Sequence, residues 1–390
     1  METAVIIEGA RTPIGRFLGS FADTPTVELG TLAAQEAMRR AEIAPELIDQ
    51  TILGHARQAG NGPNTGRQVS IRSGVPIDVA AYNVNMACGS GMKAVQLAAQ
   101  QIALGDADVV LAGGMENMSR VPHLFPQMRR GHRLGDTRIV DAMYRDGLLD
   151  PLCGLVMGET AENLVDRYDI TREEQDEFAL GSQHKAAAGA SGRAEELFTV
   201  ETVLDGLPVT VSEDEHPRPD TTLEGLAKLK PVFRGGGSVT AGNSSGITDG
   251  AAAMVVMSET RAKAEGREPL ARIVAWSWAG VPPELMGIGP VPATAKVLDK
   301  TGLTIADFDL IEMNEAFAAQ VIACERELKF DRDRLNPNGG GISLGHPIGM
   351  SGARIILALA YELRATGKSL GLATLCISGG QGLAVVLERS

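Results

Sequence analysis

A cysteine lies where the sequence changes from a strand pattern to a helix pattern. The alternating run at 82–87 ends at Cys88, and a helix-forming run at 92–104 begins just after Gly89 and Gly91. The free N–H groups and the positive dipole end of a helix stabilise an anion. A thiol there is expected to lose its proton more easily than free cysteine, whose pKa is about 8.5, and the glycines let a substrate approach closely. The pattern therefore predicts a nucleophile at Cys88.

Two other interpretations of this stretch stay open on these residues alone. Cysteine is often a small buried apolar residue with no chemistry. Residues 89–94 also fit the dinucleotide-binding pattern G-x-G-x-x-A, which follows a strand and opens a helix. That pattern requires an acidic residue at the end of a second strand about 20 residues further on. Asp106 instead precedes the next predicted strand and Asp108 begins it, so neither ends a strand, and the rest of the chain is needed to choose between the interpretations.

Composition limits the class of protein and its partners. The 390 residues predict two or three domains, and 44% hydrophobic with 22% charged residues is typical of a globular protein. The net charge of -13 argues against nucleic acid or an anionic membrane as a partner. No run approaches the roughly 18 apolar residues of a membrane span, and the N-terminus enters a predicted strand at 4–8 without a signal-peptide pattern. The cysteines fit no zinc spacing and predict a reduced, cytoplasmic protein without a metal; they are Cys88, Cys153, Cys324 and Cys376.

The first third of the chain has the pattern of an α/β unit. Residues 27–41 have apolar positions at helical spacing, and Thr26 is predicted to be the N-cap of this helix. Strands are predicted at 51–54 and at 108–112, and the second is expected to end at 113–116, which contains two glycines. These alternating elements predict helices packed on a sheet.

The last third repeats these features. The matching pairs, each about 260 residues apart, are Asp49 with Asp309 before a strand, Ser90 with Ser351 at the start of a helix, and Gly105 with Gly367 after that helix. We therefore predict a duplicated core of two α/β halves, each a mixed sheet with helices on its faces. A ligand site between the halves is the expected place for chemistry.

The middle of the chain has a different character. Residues 128–133 are basic and polar, and residues 213–219 form a charged loop. A helix is predicted at 171–189, because Thr171 and Glu174 have the spacing of a capping box. The region from about 120 to about 245 is interpreted as an insertion, and its basic cluster as a solvated or subunit-facing loop.

Three C-terminal stretches place reactive groups beside glycine. Asn314 follows a predicted strand, His346 lies in a glycine-rich loop, and Cys376 ends a predicted strand at 370–375. Singly, each is more often a packing or turn residue. The predicted duplication would bring them to Cys88, and two thiols, a histidine and an amide are the groups that acyl transfer through a thioester requires.

With these stretches the sequence resembles the thiolase superfamily over essentially its whole length, and most closely the short-chain, biosynthetic-type thiolases. The resemblance rests on the motifs at 85–91, 113–119, 241–252, 314–320 and 345–352, and on the loop at 376–382. It implies an α/β thiolase fold, in which two duplicated βαβαβαββ halves pack as a five-layer αβαβα core with an inserted loop domain. The implied domains are 1–120, completed by about 245–268, then the insertion at 121–244, and 269–390.

The resemblance also implies a role for each reactive residue. Cys88 takes the acyl group, and His346 activates it. Cys376 removes or returns the proton at C2 of acetyl-CoA, and Asn314 holds a water that completes an oxyanion hole with His346. The backbone N–H groups of Cys88 and Ser378 form a second oxyanion hole. The residues expected to contact coenzyme A are Met157, Arg218, Phe233, Ala241, Ser245, Met286, Ala316 and Phe317.

The implied reaction is the reversible Claisen condensation of two acetyl-CoA to acetoacetyl-CoA and coenzyme A, with no cofactor beyond these substrates. A 3-ketoacyl-CoA thiolase of fatty-acid breakdown and a non-catalytic acyl-CoA-binding subunit are the alternatives. The family implies a homodimer, or a homotetramer joined by a loop near 121–140. Three residues depart from the family pattern: Ser378 replaces a glycine, Val156 replaces a histidine that close biosynthetic relatives often carry, and Pro337 replaces a valine and is assigned no function. The departure at Val156 leaves longer or branched acyl groups open.

Overall fold

A computed structural model describes residues 2–390. Its strands are β1 (Ala4–Arg11), β2 (Gly15–Arg16), β3 (Gln50–Gly54), β4 (Ala80–Val84), β5 (Val109–Asn117), β6 (His123–Leu124), β7 (Val140–Asp141), β8 (Val200–Leu204), β9 (Leu207–Val211), β10 (Thr248–Ser258), β11 (Ala271–Gly280), β12 (Leu310–Met313), β13 (Leu370–Ile377) and β14 (Gln381–Arg389). Its helices are α1 (Thr26–Arg40), α2 (Thr65–Arg72), α3 (Ser90–Leu104), α4 (Met157–Tyr168), α5 (Arg172–Ala188), α6 (Ala190–Arg193), α7 (Leu223–Ala227), α8 (Glu259–Ala264), α9 (Pro290–Thr301), α10 (Ala318–Leu328), α11 (Gly341–Leu344) and α12 (Ile348–Thr366).

The strands form two sheet halves joined at one edge. The first half has the order β4-β3-β5-β10-β1 and the second β11-β14-β13-β12. The halves meet where β1 pairs with β11 over two residue pairs, Val5 with Arg272 and Ile6 with Ala271. In each half an antiparallel side is followed by parallel pairing, β5 with β3 and β13 with β12. The predicted α/β class with mixed sheets is confirmed.

Five layers result from the way the helices cover these sheets. Helices α1 and α2 pack on the outer face of the first half, and α9 with α10 covers the outer face of the second. Helices α3 and α12 lie between the halves and contact strands of both. Strand β10 is apolar on both faces, as a sheet covered by helices on both sides requires. Ala252, Met254 and Val256 face the central helices, while Ala251, Ala253, Val255 and Met257 face the outer core.

The duplication extends to individual hydrogen bonds. The Asp49 carboxylate accepts the N–H groups of Asp108 and Val109, both at 2.8 Å. The Asp309 carboxylate accepts those of Ser369 and Leu370 at 2.9 and 3.1 Å. Gly105 and Gly367 end α3 and α12 with φ of +77° and +68°, the left-handed cap for which glycine is best suited.

The second half differs from the first in its outer strand. The first half runs β1-α1-β3-α2-β4-α3-β5-β10, which is the predicted βαβαβαββ order. In the second half the strand that would correspond to β4 is reduced to a single parallel bridge between Ile311 and Leu335. The segment after this bridge is therefore free to form the loop and short helix α11 that precede His346.

Two glycines allow the central helices to approach each other. A Cβ on Gly91 of α3 would lie 2.7 Å from the nitrogen of Ala353, and a Cβ on Gly352 of α12 would lie 2.5 Å from the nitrogen of Met92. Both distances are shorter than side chains tolerate, so the helices touch backbone to backbone near their N-termini. The loops that carry Cys88 and His346 precede these two helices and are brought together.

Several element boundaries differ from the sequence prediction. Strand β4 ends at Val84, before the predicted end at 87, and helix α3 begins at Ser90 instead of at 92. Helix α1 begins at Thr26 with Pro25 as its N-cap, so Thr26 is not the cap. Strand β5 continues through the two glycines to Asn117. Helix α12 begins at Ile348, one turn before Ser351.

The segment between β5 and β10 carries short strands and helices α4 to α7. The capping box at Thr171 and Glu174 is confirmed at the start of α5. Residues 128–133 are exposed, as a solvated loop requires. Within residues 2–390, no helix has the length and apolar character needed to cross a membrane.

Candidate active site

Cys88 lies in a tight turn between β4 and α3. The N–H of Gly89 donates to the carbonyl of Met86 at 2.9 Å, and the N–H of Ser90 donates to that of Ala87 at 3.0 Å. Ala87 has a φ of +44°, a left-handed conformation that costs energy for a residue with a Cβ. The Ser90 hydroxyl holds this turn by accepting the N–H of Met86 and donating to the carbonyl of Ala87.

The prediction of a lowered pKa for Cys88 is wrong. Burial raises the pKa of this thiol, and it outweighs the backbone N–H groups of Ser378 and Cys88 and the charge of Arg57, which favour the thiolate. Part of the reason is that the first N–H groups after Cys88 are already used within the turn. Cys88 is therefore a protonated thiol at rest, and a nearby base is needed to activate it.

His346 is held between α11 and α12 in one defined orientation. The Ser351 hydroxyl donates to the carbonyl of Pro347 at 2.8 Å, so its oxygen can accept the Nδ1–H of His346 at 2.5 Å. This hydrogen bonding assigns the proton to Nδ1 and leaves the lone pair on Nε2. Burial, together with the charges of Arg354 and Arg57, lowers the pKa of His346 to about 3. The ring is therefore neutral near pH 7 and can accept a proton through Nε2.

Asn314 follows β12 and lies beside that nitrogen. Its Nδ2 is 3.4 Å from His346 Nε2. Its Oδ1 is buried and has no hydrogen-bond partner in the protein. Buried amide oxygens are normally satisfied, so this atom is available to a water or a substrate.

Cys376 lies near the end of β13, opposite Gly382 of β14. Burial raises its pKa well above the ordinary value, and the second cause is the nearby Cys88. Two residues further on, Ser378 lies outside the left-handed region, which is taken instead by Gly379 and Gly380 at φ of +86° and +76°. The serine that replaces a glycine is therefore accommodated, and its N–H still points to the Cys88 thiol.

One cavity of about 790 Å³ is lined by Cys88, His346, Cys376 and Ser378. The residues predicted to contact coenzyme A all line it as well: Met157, Arg218, Phe233, Ala241, Ser245, Met286, Ala316 and Phe317. Phe233 of the middle segment and Phe317 of the second half meet edge to face, with ring centroids 6.1 Å apart. The cavity is thus large enough for an extended ligand and leads to both thiols.

Comparisons with known proteins agree with this arrangement. Residues 4–260 match the family described as thiolase, N-terminal domain, and residues 267–389 match thiolase, C-terminal domain. The acetyl-CoA acetyltransferase of Escherichia coli strain K12 is 50% identical, with all of both chains covered. A probable acetyl-CoA acyltransferase of Staphylococcus epidermidis is 48% identical over 100% of this chain and 99% of its own. The crystal structure of the Bacillus anthracis acetyl-CoA acetyltransferase has a TM-score of 0.98, 47% identity, and coverage of 100% and 99%.

This chain belongs to the thiolase family. The dinucleotide interpretation of residues 89–94 is therefore wrong, and the structure gives the reason. A Cβ on Gly89 would lie 2.6 Å from Ile377, and Gly91 packs on α12, so these glycines serve packing between the thiolase halves. Within residues 2–390, no group of three or more His, Cys, Asp or Glu side chains is arranged to hold a metal ion.

Sequence reasoning assigned no role to several residues of the thiolase site. Ser351 lies in the motif at 345–352, but its contact with His346 depends on the helix beginning three residues earlier, at Ile348. Arg57 is buried in a loop with no recognisable pattern, and its charge affects both Cys88 and His346. Apolar residues around Cys88 were also missed: Met118, Met143, Ile247 and Ile348.

Proposed function

We propose that this thiolase is an acetyl-CoA C-acetyltransferase, which condenses two acetyl-CoA reversibly to acetoacetyl-CoA and coenzyme A. The observation that carries the proposal is that one cavity is lined by Cys88, His346 and Cys376. Relatives about half identical over their full length are named acetyl-CoA acetyltransferases.

In the first step His346 Nε2 takes the proton of the Cys88 thiol, and the thiolate attacks the carbonyl carbon of acetyl-CoA. The imidazolium is costly in so buried a position, but it forms together with the thiolate, and opposite charges favour each other at short range. The tetrahedral intermediate collapses, the carbon–sulfur bond to coenzyme A breaks, and acetyl-Cys88 remains. Cys376, which is a thiol at rest because its pKa is raised, gives its proton to the departing coenzyme A thiolate.

In the second step the Cys376 thiolate removes a C2 proton from a second acetyl-CoA. Its raised pKa makes it a strong base once it is formed. The resulting carbanion attacks the acetyl carbonyl on Cys88, and acetoacetyl-CoA leaves. Cys88 departs as a thiolate and regains its proton from His346, so every group returns to its starting state.

Two sets of donors are proposed to stabilise the negative oxygens. The N–H groups of Cys88 and Ser378, which lie at the Cys88 thiol, would bind the oxygen of the acetyl-enzyme intermediate. His346 Nε2 and a water held by the free Oδ1 of Asn314 would bind the thioester oxygen of the second substrate. A donor of this kind is typically worth about 3 kcal/mol.

The acyl group is proposed to be short. Cys88 packs against a buried apolar cluster that contains Met118 and Ile348, and Ile247 packs against the same cluster. These large side chains are proposed to limit the length of the acyl group. Val156 also lines the cavity and takes less space than a histidine. A pocket gains only about 1–3 kcal/mol of discrimination per methylene unless a wall blocks the longer chain.

Thiolysis of acetoacetyl-CoA, compared with 3-oxohexanoyl-CoA and 3-oxooctanoyl-CoA, tests this proposal. We expect kcat/KM to be highest for acetoacetyl-CoA. A higher value for 3-oxooctanoyl-CoA would replace the proposal with a 3-ketoacyl-CoA thiolase of fatty-acid breakdown.

A non-catalytic acyl-CoA-binding subunit is tested separately. Incubation with acetyl-CoA, followed by digestion and mass spectrometry, should place one acetyl group on Cys88. Binding of acetyl-CoA without any acetylated cysteine would support the non-catalytic alternative.

The remaining proposals concern the assembly and the location of the chain. We propose domains at 1–120 with about 245–268, at 121–244, and at 269–390, and a homodimer or a homotetramer joined through the exposed loop near 121–140. The four cysteines are free thiols, which is consistent with a cytoplasmic enzyme that acts in lipid metabolism. Light scattering of the purified enzyme would give the oligomeric state.

A further inference from the structure

Glu116 of β5 is a buried carboxylate to which the reaction described above gives no role. Its side chain has no measurable exposure. Oε1 accepts the N–H of Arg57 at 3.0 Å, and Oε2 accepts the N–H groups of Ala56 at 3.2 Å and Gly349 at 3.0 Å. His55 Nε2 lies 3.3 Å from Oε1. A buried carboxylate needs several donors, and here most of them are backbone groups of two separate segments.

One of these segments leads to His346. Gly349 is the second residue of α12, and Pro347 and Ile348 separate it from His346. The negative carboxylate therefore lies at the positive end of the helix, where it is favoured. The close contact fixes the position of this helix end, since a Cβ on Gly349 would lie 3.1 Å from Glu116 Oε2 and 2.3 Å from the carbonyl oxygen of Met115.

The other segment leads to Cys88. The carbonyl of Ala56 accepts the side-chain Nδ2 of Asn85 at 3.0 Å, and Asn85 Oδ1 accepts the N–H of Ala87 at 3.0 Å. Ala87 is the left-handed residue next to Cys88. A continuous path of hydrogen bonds thus runs from the helix of His346, through Glu116, to the turn of Cys88.

We propose that Glu116 is a positioning residue, which holds the base His346 and the nucleophile Cys88 in register across the two halves. The inference rests on the roles proposed for these two residues. Glu116 touches neither the substrate cavity nor the reacting atoms, so it acts through the two loops it binds.

A positioning role and a purely electrostatic role of Glu116 predict opposite changes in the reaction rate of Cys88 when the carboxylate is neutralised. The negative charge of Glu116 raises the pKa of Cys88, whereas Arg57 lowers it. Cys376 and His346 line the cavity together with this thiol, and the other titratable groups that line it are Arg16, Tyr144, Glu159, His216 and Arg218. If Glu116 acted only through its charge, Glu116→Gln would give more thiolate and a faster reaction. If it positions the base, the same variant loses an acceptor for a backbone N–H, the loops shift, and Cys88 reacts more slowly.

The experiment measures alkylation of Cys88 by iodoacetamide in the full-length enzyme, with the modified peptide quantified by mass spectrometry. In Glu116→Gln we expect the rate near pH 7 to fall by about tenfold or more, because a hydrogen bond to a charged group is lost. Near pH 10, where hydroxide can form the thiolate without His346, the rate should approach that of the wild type. Acetylation by saturating acetyl-CoA should slow in parallel, with KM nearly unchanged.

Glu162→Gln is the matched control. Glu162 is also a buried carboxylate that accepts backbone N–H groups, those of Ser238 at 2.9 Å and Val239 at 2.8 Å, but it has no contact with the turns of Cys88 or His346. This variant should lose thermal stability without changing the alkylation rate near pH 7. An equal loss of reactivity in both variants would show that general destabilisation, and not positioning, is the cause.

Asn85→Ala removes the hydrogen bonds that link Ala56 to the turn of Cys88. It tests the same proposal if Glu116→Gln does not fold. It should show the same loss near pH 7 and recovery near pH 10, with a smaller loss of stability because Asn85 is exposed. A rate near pH 7 equal to or above the wild type in the folded variant would overturn the proposal. Absence of acetyl-Cys88 in the wild type would instead overturn the proposed function, which the alkylation assay does not require.

Discussion

Asp49 in the first half and Asp309 in the second make the same pair of hydrogen bonds, but the loops beyond the strands that follow them differ in chemistry. After β3 come His55 and its neighbours, which are buried and bound to Glu116. After β12 comes Asn314, beside His346 Nε2. The two halves have the same arrangement of strands and helices, but the loops at corresponding positions carry different residues and make different contacts.

The same contrast holds at the start of the two central helices. Ser90 of α3 holds the turn before Cys88, while Ser351 of α12 holds the ring of His346. In the proposed mechanism the first half supplies the nucleophile, and the second supplies the groups that move protons. Loss of a residue in one half should accordingly have a different effect from loss of its counterpart in the other half.

The largest expected effect is that of Cys88→Ala. This change removes the sulfur that forms the thioester, so acetylation by labelled acetyl-CoA should fall below detection. Cys376→Ala keeps the turn of Cys88 and the histidine, so it should still become acetylated. Acetyl transfer to Cys376 in the Cys88→Ala variant would contradict the assignment of the nucleophile to the first half alone.

His346→Ala should come next in size. Loss of a general base commonly costs about 10²–10⁴-fold, and the neutral ring is held with its lone pair on Nε2 for this task. Rapid-quench measurement of Cys88 acetylation should show this loss near pH 7. A rate that stays near the wild-type value would show that another group deprotonates Cys88.

Ser351→Ala and Ser90→Ala should have smaller effects, the first on the reaction rate and the second on stability. Ser351→Ala leaves the Nδ1–H of His346 without its acceptor, and loss of one hydrogen bond of this type costs about 1–1.5 kcal/mol, or roughly tenfold in rate. It should slow both acetylation and the reverse reaction. Ser90→Ala should instead loosen the turn at Met86 and Ala87, and appear chiefly as a lower melting temperature. Calorimetry and single-turnover kinetics on both variants would compare them, and identical profiles would contradict the assignment.

A separate effect, on stability and not on the reaction rate, is expected in the pH dependence of unfolding. Because the pKa of His346 in the folded protein is about 3, below the value near 6.5 of the unfolded chain, the unfolded state binds more protons between these values. The free energy of unfolding should therefore fall as the pH drops from about 6.5 towards 3, by at most about 1.4 kcal/mol per pH unit. His346→Asn should reduce this slope in denaturant titrations. An unchanged slope would show that His346 does not stay neutral in the folded enzyme.

The frame could be predicted because it depends on short, local patterns, whereas the set of reactive residues was implied by the resemblance of their motifs to those of thiolases. Asp49 and Gly105 recur as Asp309 and Gly367, and their hydrogen bonds and cap conformations recur with them. The residues expected at the coenzyme A site all line the cavity, although their binding role stays a prediction.

Features that depend on packing between distant segments could not be predicted. Strand β5 was predicted at 108–112, with its end at the glycine-containing residues 113–116. It continues, and the glycines are required because a Cβ at Gly113 would lie 2.1 Å from the carbonyl oxygen of Ala252, and one at Gly114 would lie 2.1 Å from that of Gly349. The raised pKa of Cys88 has the same origin, since burial by both halves outweighs the local helix end.

The division of tasks between the halves is tested most directly by exchange of the acetyl methyl protons of acetyl-CoA with deuterated solvent, followed by NMR in the Cys376→Ala variant. The variant should still acetylate Cys88, while methyl exchange and condensation fall by about 10²–10⁴-fold because the carbon base is missing. Exchange at the wild-type rate would contradict the account, because another group, His346 foremost, would then be the base that acts on carbon.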